Sequence, residues 1–146
     1  MNIKLTKCDK YQIEGTDDIY AIVQRLLLHG KNNVQQKEHF WMIGINQSGY
    51  IIYIELIALD AFNTVEIELT NIFRVAVLKN AKHVIAIHNS LSEPLIPSEF
   101  AKNITARLIQ IGQILNIELV DHLMISPKAY ISFKAIGLMD ELKKTC

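Results

Sequence analysis

Cysteine is scarce: Cys8 and Cys146 are the only two, near opposite ends of a 146-residue chain. Such spacing makes neither a disulfide framework nor a cysteine metal cluster, and it fits reduced thiols in the cytoplasm. Charge of one sign is also lacking, since fifteen Lys and Arg balance fifteen Asp and Glu. No global field draws the chain onto nucleic acid or an acidic membrane, and no net repulsion opposes a homo-oligomer. A basic stripe, a helix-turn-helix and aromatic–basic interleaving are missing, so the sequence carries no nucleic-acid signal. Residues 1–10 hold no apolar segment suited to a signal peptide. The longest apolar stretch, residues 50–59, is interrupted by Glu55 and is far too short to span a bilayer. Repeats, low-complexity tracts and Pro/Gly-rich linkers are missing too. The exclusions leave a soluble, cytoplasmic, single-domain protein.

What is present is apolar. Half of the residues are hydrophobic, enough for one buried core and too many for disorder. Residues 1–16 read as an arm or short edge strand preceding a domain over 17–146. Thr16 can cap a helix that opens on Asp17 and Asp18, whose charges suit its N-terminus. Ile19, Ile22, Val23, Leu26 and Leu27 follow at helical spacing, and Gly30 is a stop. A polar loop over 31–37 comes next. Residues 39–45 and 50–59 are β-rich and joined across Asn46-Gln47-Ser48-Gly49, a hairpin signal. Residues 63–69 read as extended or irregular, 70–79 as a second helix, and 83–88 (HVIAIH) as a short buried strand. After Pro94 and Pro97, Ser98 opens the longest helix, to about Leu115, with Ile104, Leu108, Ile111 and Leu115 on one face. Residues 117–125 and 130–133 read as two further strands, and 136–142 as a short amphipathic helix. The expected fold class is α/β, one mixed β-sheet of five or six strands flanked by helices.

The chemically informative segment runs from His88 to Ala101, HNSLSEPLIPSEFA. It leaves a buried strand, loops out and enters a helix, a crossing where side chains converge on a backbone held by the sheet. Glu38 stands at a strand entrance before His39-Phe40-Trp41. Further on come Asp121-His122-Leu123-Met124-Ile125 and Tyr130-Ile131-Ser132-Phe133. Together these segments resemble the RadC proteins, which carry a JAB/MPN domain of cytidine-deaminase-like architecture. The resemblance covers about residues 17–138 and needs no gap between His88 and Ile125. The helical region that precedes this domain in longer RadC proteins has no counterpart in these residues.

In that family a Glu begins one strand, and His-x-His ends another. After seven intervening residues comes Ser, and after two more Asp. The resemblance implies a metal hydrolase: two His and the Asp hold zinc, a water fills the fourth position, the Glu is general base, and the Ser helps hold the oxyanion. Carried over by position, Glu38 takes the general-base place, Ser98 the oxyanion place and His88 the first ligand place. Ser90 stands at the second ligand place and Ala101 at the carboxylate place. Leu91 and Glu93 replace the loop-shaping Pro and Gly. One His of three ligands is left, so no cofactor is expected where the family has zinc.

Each retained residue also has a purely structural explanation. Glu38 would be an ordinary charge at a strand entrance, and His88 a hydrogen-bonded histidine at a strand end. Ser98 after Pro97 suffices as a helix N-cap. Asp121 and His122 read as a polar pair at a strand centre or as a structural remnant of the ancestral site. His83 falls on the face opposite His88 and is no substitute ligand. Two functions of different class follow. The first is a non-catalytic domain acting as a binding or assembly module for a protein partner. The alternative is a hydrolase with a metal site rebuilt around Glu38, His88 and Glu93 or His122. DNA repair attaches to the RadC name alone.

Overall fold

In the computed structural model, the structure describes residues 2–3, 16–28, 38–59, 69–90 and 94–144. The elements run β1 (Asn2–Ile3), α1 (Thr16–Leu28), β2 (His39–Ile45), β3 (Ile51–Leu59), α2 (Leu69–Leu78), β4 (His83–Asn89), α3 (Glu99–Leu115), β5 (Glu118–Ile125), β6 (Tyr130–Ser132) and α4 (Leu138–Lys144). Among the described residues the sheet has six strands in the order β1-β3-β2-β4-β5-β6. Only β4 and β5 run parallel; every other neighbouring pair is antiparallel. The parallel pair is the one bridged by a helical crossover, α3, as parallel neighbours require. The expected mixed sheet flanked by helices is the fold found.

Local chemistry explains the elements. Every residue of β2 is buried, and β4 is buried from Val84 to Asn89. Both are central strands with helices over each face, so apolar residues fill both sides. At the β2–β3 hairpin the Asn46 carboxamide oxygen accepts from the amides of Ser48 and Tyr50, each at 3.0 Å, and Gly49 takes φ 89°. Ser98 caps α3: its backbone is extended and its hydroxyl accepts the Ala101 amide at 3.1 Å. The helix ends on Asn116 in the left-handed region, and the Ile117 amide returns to the Gly112 carbonyl at 2.9 Å.

The sheet divides the core in two. On one face α1 buries Ile19, Ile22 and Val23 against Trp41, Ile43, Ile85, Ile87 and Leu123. On the other, α2, α3 and α4 pack over Phe40, Met42, Val84, Ala86, Met124 and Phe133. Fully burying a side chain such as Phe40 or Leu108 contributes about 1.5–3 kcal/mol. Polar contacts fasten α1 to the β5–β6 turn: Gln24 Nε2 donates to the Pro127 carbonyl at 2.7 Å, and the Tyr130 hydroxyl to Asp17.

Some sequence expectations shift. The final helix begins at Leu138 rather than 136, because Gly137 at φ 84° turns the chain first and leaves Ile136 exposed. Strand β6 stops at Ser132, before Phe133, and α2 starts one residue early. The Gly30 stop, the loop over 31–37 and the irregular run over 63–68 lie outside the described residues.

Gly112 sits where α3 meets the returning chain. A Cβ there would lie 2.3 Å from the Ile117 carbonyl oxygen, which is backbone and cannot swing aside. Gly112→Ala is expected to lower stability by about 1–3 kcal/mol despite its better helix propensity, read by urea unfolding. A stabilised variant would show that the helix end can move away freely.

Candidate functional site

The C-terminal end of β4, the middle of β5 and the first turns of α3 converge on the sheet face that α3 covers. Side chains on a strand alternate, so Val84, Ala86 and His88 face α3 while Ile85 and Ile87 face α1. On β5 the alternation is interrupted. The register steps from Val84↔Leu119 to Ile85↔Asp121, leaving Val120 as a bulge. Leu119 and His122 therefore both face α3, three residues apart, and Val120 and Leu123 both face α1. Without the extra residue Asp121 would occupy the α3 face and His122 would turn away.

The bulge brings His122 to His88. The two rings meet edge to face with centroids 4.9 Å apart, and His88 Nδ1 lies 2.7 Å from His122 Nε2. The other His122 nitrogen, Nδ1, lies 2.6 Å from the Thr105 hydroxyl, which also bonds the Ala101 carbonyl at 2.7 Å. Phe133 stacks on His122 with centroids 4.4 Å apart, and the Phe133 amide donates to the His122 carbonyl at 3.0 Å. His122, Thr105 and Phe133 are fully buried, and His88 is 5% exposed. Burial lowers the His88 pKa to about 4, and the same cause with the neighbouring His88 lowers His122 well below the usual imidazole value. Both rings are neutral at pH 7.

Asp121 has a separate task. Its carboxylate accepts from the His122 amide at 2.7 Å, the Lys134 amide at 3.0 Å and the Ser132 hydroxyl. These bonds tie the β6 exit to β5 and hold Phe133 against His122. Asp121 and His122 are thus not one polar pair but two devices on opposite sides of the strand.

The residues singled out from sequence are placed as follows. His88 lies at the site's centre. Glu38 immediately precedes β2, two residues before Phe40, the cross-strand neighbour of His88. The His39 amide donates to the Asn89 side-chain oxygen at 2.6 Å, which ties the residue after Glu38 to the residue after His88. Ser90 lies just past β4, half-buried, with its amide donating to the Ile125 carbonyl at 2.8 Å. Ser98 is the α3 N-cap, and Ala101 is a fully buried methyl in the first turn. His83 sits at the far end of β4, with Nδ1 3.3 Å from Glu118. Glu93 and Leu91 lie outside the described residues. Among the described residues no three His, Cys, Asp or Glu side chains gather as a metal site would require.

Sequence reasoning missed Thr105, and it carried Asn89 and Phe133 only as part of the resemblance, without a role. Thr105 left a signal: it is a hydroxyl within the buried stripe Ala101–Ile104–Leu108, four residues after Ala101. A polar residue on the apolar face of a helix must find a partner there.

A mixed sheet covered by helices on both faces, with polar side chains gathered where a central strand passes into a helix, is the α/β arrangement of JAB domains. The sequence model of the RadC-like JAB domain matches residues 13–138, and the chain belongs to that family. A "UPF0758 protein" of Chlorobium chlorochromatii is 33% identical over 112 residues, covering 77% of this chain and 50% of the relative. One from Syntrophomonas wolfei is 31% identical over 127 residues, covering 87% and 54%. A third, from Alkaliphilus metalliredigens, is 30% identical over 138 residues, covering 94% and 57%. The chain spans about half the length of these curated relatives. No described helix is long and apolar enough to cross a membrane.

Two buried neutral imidazoles make stability depend on pH. Their folded pKa values lie below the unfolded value near 6.5, so the unfolded chain binds more protons as pH falls through that value. Stability contributed by neutrality is present above pH 6.5 and is lost on the way down towards pH 4. His88 by itself is expected to remove about 2 kcal/mol between pH 7 and pH 5, and His122 acts in the same direction. Urea unfolding at the two pH values measures the loss, and an unchanged midpoint would contradict neutral, buried rings.

Proposed function

We propose that this RadC-like JAB domain does not carry out zinc-dependent hydrolysis and serves as a binding or assembly module for a protein partner. Its setting is the cytoplasm, where Cys8 and Cys146 stay reduced, with residues 1–16 as an arm to the domain over 17–146. The observation that carries this reading is Ala101. At the place where the family resemblance puts a ligating carboxylate stands a methyl group, fully buried. Its amide is taken by the Ser98 cap and its carbonyl receives the Thr105 hydroxyl. At the second ligand place the Ser90 hydroxyl is a poor zinc donor. One imidazole, one hydroxyl and one methyl do not fit a site that needs three neutral or anionic ligands and an open position. Glu38 then has no metal-bound water to act on, and Ser98 works as a helix cap. What remains is a sheet whose central cluster of His88, His122 and Thr105 is hydrogen-bonded within itself, a scaffold on which other surfaces can bind. The family name alone connects the chain to DNA repair, and its balanced charge supplies no electrostatic footprint for DNA.

Metal content of untagged protein tests the reading directly. Zinc well below one equivalent and a melting temperature unmoved by chelator are expected. One tightly held equivalent, lost in His88→Ala, would overturn it in favour of a hydrolase with a rebuilt site.

Restoring the donors is the complementary experiment. Ala101→Asp alone places a carboxylate in a dry core and is expected to cost roughly 3–5 kcal/mol. Ser90→His with Ala101→Asp completes three ligands around His88, so zinc binding should return in the double variant and recover part of that loss. Either single change should bind little, a strongly non-additive pattern. Calorimetric zinc titration of all four proteins reads it. A folded double variant binding no better than wild type would show that positions 90 and 101 do not converge on His88.

A further inference from the structure

Three hydrogen-bonding groups in series, with a single consistent placement of protons, connect the first turns of α3 to His88. The chain of contacts is Ala101 carbonyl, Thr105 hydroxyl, His122 ring, His88 ring, at 2.7, 2.6 and 2.7 Å. A carbonyl oxygen only accepts, so the contact at Ala101 uses the one proton of the Thr105 hydroxyl. The Thr105 oxygen must then accept from His122, which places a proton on His122 Nδ1. A neutral imidazole has one N–H, so His122 Nε2 carries a lone pair and accepts from His88. His88 Nδ1 is therefore the protonated nitrogen of that ring, and its Nε2 is an acceptor.

We infer that Thr105 and His122 are positioning residues that hold His88 in the Nδ1–H tautomer, with its Nε2 as an acceptor. The geometry favours this arrangement over its reverse for a definite reason. Reversal would put the proton on His122 Nε2 and leave His122 Nδ1 facing an oxygen whose proton is already committed, two lone pairs in contact at 2.6 Å. An imidazolium at His122 would need a charge in a fully buried place packed between Phe133 and Phe40. Phe133 and the Asp121 bonds hold the His122 ring in plane, so it cannot rotate to exchange its nitrogens. The bulge at Val120 is part of the same device, because it alone turns His122 towards α3. The orientation imposed on His88 is independent of whether the domain hydrolyses anything, and it survives beside Ser90 and Ala101.

Imidazole-¹⁵N nuclear magnetic resonance at pH 7 distinguishes the two nitrogens of each ring by whether they bear a proton. Signals are assigned by substituting each of the five histidines in turn. In the wild type both His88 and His122 are expected to show protonated Nδ1 and unprotonated Nε2. Thr105→Val keeps the shape and removes the acceptor, leaving an N–H with no partner on the side of His122 that faces it. The pair should then shift towards its reverse, and a substantial fraction of His88 should carry the proton on Nε2. Thr105→Ser, which keeps the hydroxyl, should restore the wild-type pattern, an outcome that a packing role for Thr105 would not produce. A wild-type His88 protonated on Nε2, or a Thr105→Val spectrum in which His88 is unchanged, would overturn the inference. Should Thr105→Val fail to fold, the wild-type spectrum decides by itself.

Discussion

Two imidazoles buried beneath a helix must have their nitrogens met by protein, because no bulk water reaches them to do so. That requirement organises the centre of this domain. His88 and His122 meet each other, and His122 has to find a second partner on α3, where Thr105 supplies it four residues after Ala101. Buried polar groups left unpaired cost about 1–3 kcal/mol each, so the three residues stand or fall together. Around them the aromatic faces of Phe133 and Phe40 exclude water, and Asp121 holds the segment carrying Phe133 in place.

On the reading proposed above, the same arrangement lets the domain keep its shape without metal donors at positions 90 and 101. Donors at positions 90 and 101 would lie on the strand exit and on the first turn of α3, at the margin of the polar cluster. Replacing a ligand there by a methyl group leaves the cluster's own bonds intact, and Ala101 still supplies the carbonyl that ends the chain of hydrogen bonds. A buried carboxylate without its metal would cost more than a methyl group. On the reading proposed above, Ala101 thus suits this fold when no metal is bound. Ser98 illustrates the same economy, since its cap on α3 is useful with or without an oxyanion to bind.

Much of the fold was legible from local chemistry. Asn46 to Gly49 announces the hairpin through a side chain that bonds its own backbone, and Ser98 announces α3 through a cap that needs only the next three residues. The runs in β2 and β4 are apolar on both sides, which only a central strand requires. Boundaries were less secure where a single backbone angle decides them, as at Gly137, whose left-handed turn delays α4. For the candidate site the family resemblance supplied expected positions, with His88 and Ala101 on either side of the loop. Their surroundings were not, because Thr105 looked like one more residue of an amphipathic helix until His122 was seen beneath it.

The sequence by itself determined the elements and their burial: periodicity, capping and turn residues act over a few positions, and their energies do not depend on distant partners. It also determined the donor set, since no folding can give Ala101 a lone pair on its side chain. Only the tertiary structure decided which way His122 points. Strict alternation along Leu119 to Met124 would have turned it towards α1, and the phase changes at Val120 because β5 must register with β4 on both sides of the bulge. Proton placement follows from that phase. A tautomer is set by the nearest acceptor in space, and the acceptor that holds His122 lies 17 residues away on a different element.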